Sequence, residues 1–157
     1  MGVGPSTKET SLHHFRDPLL DVVSQDSEVD LLGVVVVGTP QDNHTKQLVG
    51  KRCATWLSSM GCQGVILSAD GWGNSDVDFA NTMAEIGERN MSVVGLKFIG
   101  KQAKFVVENQ YTDLVVDLNK SETGVETEVV GENAADHLDG RKALALLKLK
   151  MRKDGQK

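Results

Sequence analysis

Aromatic residues are scarce: two Trp, one Tyr and four Phe, 4% of 157 residues. So few rings argue against a surface that stacks nucleic-acid bases, and no nucleic acid is expected as a partner. No apolar run approaches ~20 residues, so no membrane-spanning helix is expected. The opening MGVGPSTKET lacks a hydrophobic h-region. No secretory signal is therefore expected, and the sequence points to the cytoplasm. Cys53 and Cys62 are the only cysteines, and their spacing makes neither a CxxC redox pair nor a zinc-ligand pair. Two thiols without a framework fit a reducing compartment. HxH, HExxH and Cys/His clusters are missing, and the side chains of the adjacent His13 and His14 diverge in any regular structure, so no metal site is expected.

What is present is an ordinary globular composition, 39% hydrophobic and 25% charged, at a length that fits one domain. Charge is unevenly spread. The net charge is −5, yet residues 140–157 hold seven of the 17 Lys/Arg and one of the 22 acids. A basic tail on an acidic body suits an acidic protein surface better than nucleic acid. Three parts are read: an extended lead-in over 1–11, an α/β domain over 12–139, and a basic C-terminal helix and tail over 140–157.

Periodicity gives the order of elements. Asp17-Pro18 starts a short helix, with Pro18 at its first position. Leu31 to Val37 reads as the clearest central strand, because an unbroken apolar run implies burial on both faces. Asp42 or Asn43 caps a helix to about Met60, with Val49, Cys53, Trp56, Leu57 and Met60 as its apolar stripe and Lys46 off it. Gly64 to Leu67 is a second strand. A helix capped by Ser75 follows, with Phe79, Ala80, Met83 and Ile86 on one face. Ser92 to Phe98 is a strand, Lys101 to Asn109 a helix, Leu114 to Leu118 a strand and Glu126 to Val130 an edge strand. Asp139 caps the last helix. The alternation predicts an α/β fold: a doubly wound, mostly parallel sheet of four to five strands with flanking helices, Rossmann- or flavodoxin-like.

Ligands of such sheets bind outside the carboxyl ends of the strands. Two loops fall there, Gly38 to Thr45 and Ser68 to Asp76. They bring Asp42, Asn43, His44, Ser68, Asp70, Gly71, Trp72, Gly73, Asn74 and Asp76 to one edge as a candidate surface for a small polar ligand or a partner. The plainer reading is two capped helix starts with solvated loops. The glycines make no phosphate motif, and Asp70 and Asp76 would repel phosphate. His44 as a general base would need an acid partner and a substrate group in reach, and the sequence shows neither. Asp42-Asn43-His44 carries the D-x-H of a cobalamin-binding turn, but the glycine such a turn needs three residues after His44 is Gln47. No catalytic residue is assigned.

Four stretches in order, GPSTKETSLHHFRDPLLDVV, DLLGVVVVGTPQDNHTKQLVG, GVILSADGWGNSDVD and VVGLKFIGK, resemble the proproteins of component B of glycine, sarcosine and betaine reductases, together with the D-proline reductase proprotein. The resemblance runs over about residues 4–120. It implies a precursor cleaved before a cysteine that becomes a pyruvoyl group. It also implies a substrate amine captured by that carbonyl and a selenocysteine on a separate subunit. This chain resembles the C-terminal fragment. Only Met1, Gly2 and Val3 precede the matching segment, and none is cysteine. The resemblance is therefore nearest to a short accessory paralogue of the proline reductase system. No cofactor is expected. Expected partners are the pyruvoyl and selenocysteine subunits of D-proline reductase, or a second copy.

Overall fold

The computed structural model describes residues 17–69, 71, 73–101, 105 and 107–156. The sequence builds helix α1 over Pro18–Ser24, α2 over Asn43–Ser59, strand β1 over Gly64–Ala69, α3 over Asn74–Gly87, β2 over Ser92–Lys97, β3 over Val115–Asp117, a 3₁₀ turn over Val130–Glu132 and α4 over His137–Lys153. Among the described residues the sheet has three parallel strands in the order β1-β2-β3, not four to five. Ile66 pairs with Val94, and Gly95 with Val115.

The helices form two layers. Cys53, Ala54 and Leu57 of α2, Phe79, Met83 and Ile86 of α3, and Val93 of β2 make one core, joined by Val65 and Leu67. Leu96, Phe98, Val116, Leu118 and Ala143 make the second, under α4 and α1. All six residues of β2 are buried, which suits its continuous apolar run as the middle strand.

Local chemistry sets the helix ends. Asp42 caps α2 by accepting from the backbone N–H of His44 and Thr45, both at 3.1 Å. Asp17 caps α1 and Pro18 opens it, as the sequence predicts. The cap of α4 is Asp136 rather than Asp139. Asp139 lies three positions in and accepts from the N–H of Asp136 at 3.1 Å, which completes a reciprocal capping box.

Several expectations are corrected. Residues 31–37 form no strand: Leu32, Val34 and Val36 are 53%, 66% and 93% exposed. Gly33 takes φ 153°, which breaks the regular strand conformation, and only Val35 and Val37 pack on the core. β1 is consequently an edge strand, half-buried except at the exposed Ser68. The buried face of α2 is Lys46, Gly50, Cys53, Ala54 and Leu57, while Trp56 and Met60 turn outward. The cause is the close approach of α3: a Cβ at Gly50 would lie 2.3 Å from Asn81 Nδ2, so the helix contact centres on Gly50. Glu126 to Val130 is not an edge strand. Asn133 takes over its backbone groups, accepting from Thr127 N–H and donating to the carbonyls of Thr127 and Val129. In the predicted helix over 101–109, residues 101, 105 and 107–109 are not helical, and the others lie outside the described residues.

Candidate functional site

The carboxyl ends of β1 and β2 meet the N-terminus of α3, and the start of α2 lies beside it. Gly73, not Ser75, is the N-cap of α3, at φ 77°, a backbone conformation that glycine adopts without penalty. Its N–H donates to Asp76 Oδ2 at 3.1 Å, so Asp76 closes the loop onto the helix start. Asn74 Nδ2 donates to Gln41 Oε1 at 3.2 Å. That bond ties the loop after β1 to the one before α2, so the two loops do share one edge.

Beneath this surface lies a feature the sequence reading missed. Lys97 ends β2 with no exposed surface, and its ammonium is ion-paired to the equally buried Asp76. Phe105 and Phe79 cover it, with ring centroids 5.1 and 5.6 Å from Nζ, and the rings stack at 5.9 Å. A cation over ring faces is attracted by their quadrupoles. A second buried lysine, Lys46, pairs with Asp78 between α2 and α3. Lysine is almost never fully buried unless paired, so two such pairs at one sheet edge set this region apart. The available sequence signal was a lysine closing an otherwise apolar strand, Ser92-Val93-Val94-Gly95-Leu96-Lys97. For Lys46 it was helical spacing: Lys46, Gly50, Cys53 and Leu57 share a face.

Two polar atoms near these pairs are buried without a hydrogen-bond partner, Ser75 Oγ and Asp78 Oδ1. They stand three positions apart on α3 and so face the same way.

Of the residues named from sequence, Asn43, His44, Ser68 and Asn74 are exposed, Gly71 and Gly73 are half-buried, and Asp76 is buried. Asp70 and Trp72 lie outside the described residues. The Asp42 carboxyl is held below its ordinary value, first by the hydrogen bond from the Thr45 side chain and then by the helix-start amides. Asp42 is therefore committed to capping. Among the described residues no three or more His, Cys, Asp or Glu side chains converge as metal ligands. No described helix is long and apolar enough to cross a membrane.

Residues 2–103, which include both loops and both buried lysine–aspartate pairs, match the family of glycine/sarcosine/betaine reductase component B subunits. The chain belongs to that family. It is also 40% identical over 146 residues to the D-proline reductase proprotein PrdA of Acetoanaerobium sticklandii, an alignment covering 93% of this chain and 23% of that proprotein. The chain thus spans about a quarter of the relative's length. No solved structure gives a significant match.

A pyruvoyl group, which the resemblance implies for the catalytic proproteins, needs a cysteine at a point of backbone cleavage. The two cysteines here do not fit that need. Cys53 sits in the middle of α2, almost wholly buried, and burial pushes its thiol pKa up. Cys62 lies two residues before β1. Its thiol is also pushed up by burial and donates to the Gly64 carbonyl at 3.1 Å. Cleavage at either would cut the fold.

Proposed function

We propose that the chain is an accessory subunit of a D-proline reductase system, one that does not itself carry the reactive carbonyl. The reading places it beside the pyruvoyl and selenocysteine subunits in the cytoplasm, in the reductive ring opening of D-proline to 5-aminovalerate. The observation that carries it is the internal position of both cysteines in a domain 40% identical to part of the D-proline reductase proprotein. Retention of the domain with no cleavable cysteine among these residues supports a role in assembly, maturation or filling an oligomer position. Tagged chain should retain the pyruvoyl subunit from a proline-fermenting extract. Failure to retain it, or a borohydride-reducible carbonyl found on the chain by mass spectrometry, overturns the reading.

A second reading is a small-molecule binding domain for proline or 5-aminovalerate. The unpartnered Ser75 Oγ and Asp78 Oδ1 between the starts of α2 and α3 favour it, since a ligand with donor groups would satisfy both. Calorimetry with D-proline, L-proline and 5-aminovalerate tests it. No heat at millimolar ligand removes it.

A further inference from the structure

α1 and α4 approach closely at Gly140, where a Cβ would lie 3.3 Å from the Pro18 carbonyl oxygen and from Val22 Cγ2. Alongside this contact the two helices enclose a cleft of about 460 Å³. Val22, Leu144 and Ala145 give it an apolar lining. Polar pairs join its walls. His137 Nε2 stands 3.5 Å from Asp21 Oδ2. Lys148 donates to Asp26 Oδ2 at 2.5 Å and lies 3.2 Å from Glu28 Oε2. Arg141 also lines the cleft, one turn after His137 and two turns before Lys148. Among the described residues its guanidinium makes no ion pair and no hydrogen bond. A guanidinium cannot shed its charge in a protein, so the cleft holds one permanently uncommitted cation.

We propose that this cleft binds a small organic monocarboxylate, with the carboxylate on Arg141 and a short aliphatic body against Val22, Leu144 and Ala145. The planar fork of arginine matches a carboxylate through two parallel hydrogen bonds. Lys148 does not compete as an anchor, because Asp26 and Glu28 already engage its ammonium. The charge of the ligand is limited by the α1 side, where Asp21 and Asp26 also line the cleft. A dianion meets twice the repulsion from these carboxylates that a monoanion meets. The volume lies within the roughly 300–1,000 Å³ of small-molecule sites, and an apolar lining with few polar groups is their usual make-up. The walls are helices already packed together, so little ordering is needed on binding. The cleft lies in the α1 and α4 layer, away from Ser75 and Asp78 on α3, and its occupation rests on neither reading above.

The test is amide NMR on the full chain, titrated with valerate into the millimolar range. Saturable shifts should gather on Val22, Gln25, Arg141 and Ala145. Pentanol, with the same body and no charge, and sulfate, with two charges, should give none at matched ionic strength. Arg141→Gln should weaken valerate binding about tenfold or more, because a charge-assisted bond is lost. Its thermal midpoint should not move, since the Arg141 guanidinium holds nothing in the free chain. Lys142→Gln, next to Arg141 but outside the cleft lining, should bind as the wild type does. Absent shifts with valerate, equal shifts with pentanol or sulfate, or full binding by Arg141→Gln would each overturn the site. Shifts on Ser75 and Asp78 instead would also overturn it, and would support the small-molecule reading. None of these outcomes touches the accessory-subunit reading, since no reductase subunit is present.

Discussion

β2 and the run 31–37 have nearly the same apolar sequence character and opposite fates. β2 is paired along its whole length with β1 and from Gly95 to Lys97 with β3, all its residues are buried, and it carries a lysine into the interior at Lys97. Among the described residues, Val34-Val35-Val36-Val37 is paired on neither edge, and only Val35 and Val37 pack on the core. An apolar run states a demand for cover. It does not state whether the same chain supplies it. The difference lies in neighbours: β2 sits between β1 and β3 with α3 and α4 packed on it, while among the described residues the run meets the core only through Val35 and Val37.

The sharpest way to test the comparison is to remove a charge from the buried side. Lys97→Ala leaves the Asp76 carboxyl with no exposed surface and no countercharge. Breaking one partner of a buried pair costs about 3–5 kcal/mol. Urea denaturation should show a loss of that size. Lys97→Met combined with Asp76→Leu should recover most of it, because an apolar pair of similar volume is often neutral against the ionic one. If the double variant is as unstable as the single, the pair has a role beyond electrostatics, and Asp76 as the clasp of Gly73 is the first place to look.

A smaller effect separates the two regions through glycine. A Cβ at Gly95 would lie 2.7 Å from Phe79 Cζ and 2.8 Å from Val115 Cγ2. Gly95→Ala should therefore cost about 1–3 kcal/mol by overpacking. A Cβ at Gly38, just past the exposed run, meets nothing within 4 Å. Gly38→Ala should stay within about 0.5 kcal/mol, as surface changes do. Equal losses at the two sites would mean that the run is packed against something in the isolated chain.

The pattern of legibility follows the same line. Asp42 as one of two candidate caps, α2 and α3, the strand at Ser92 to Lys97, and the shared face of Phe79, Ala80, Met83 and Ile86 follow from local chemistry, and the sequence shows them, although it put Leu31 to Val37 at the centre of the sheet. The misplaced features depend on contacts distant in the chain. Lys46 becomes interior because Asp78, 32 positions away, meets it. Trp56 turns outward because Gly50 sets the helix contact. Glu126 to Val130 loses its strand to the side chain of Asn133. At the candidate site, the loop-to-loop contact was expected from a strand over 31–37 that does not form, and the buried pairs beneath it were not legible. Periodicity treats every lysine as a solvent residue.

The caps offer a third test, between the extremes. The Asp136 carboxyl lies below its ordinary value of 3.8: burial pushes it up, but the N–H groups of Asp139 and Leu138 and the Lys120 ammonium outweigh that. A folded-state value below the unfolded one gives stability that is present above pH 3.8 and is lost as pH falls through the folded value. Wild-type stability should therefore decline below about pH 4. Asp136→Ala should cost about 1 kcal/mol at neutral pH, as lost caps do, and its stability should fall less steeply in acid. An unchanged acid slope would assign the decline to other carboxylates, Asp42 and Asp26 first, whose values are also lowered.

The smallest effect belongs to the exposed run and decides whether the contrast with β2 is real. Val36→Thr keeps the branched shape and replaces one methyl by a hydroxyl at a site 93% exposed. In β2 the same exchange at Val94, which has no exposed surface, buries that hydroxyl and costs about 1–3 kcal/mol if it finds no acceptor. At Val36 the change should stay within about 0.5 kcal/mol. A penalty at Val94 beside a neutral exchange at Val36 would show that of the two apolar runs only β2 is buried within its own chain; equal penalties would show that Val36 is covered as well.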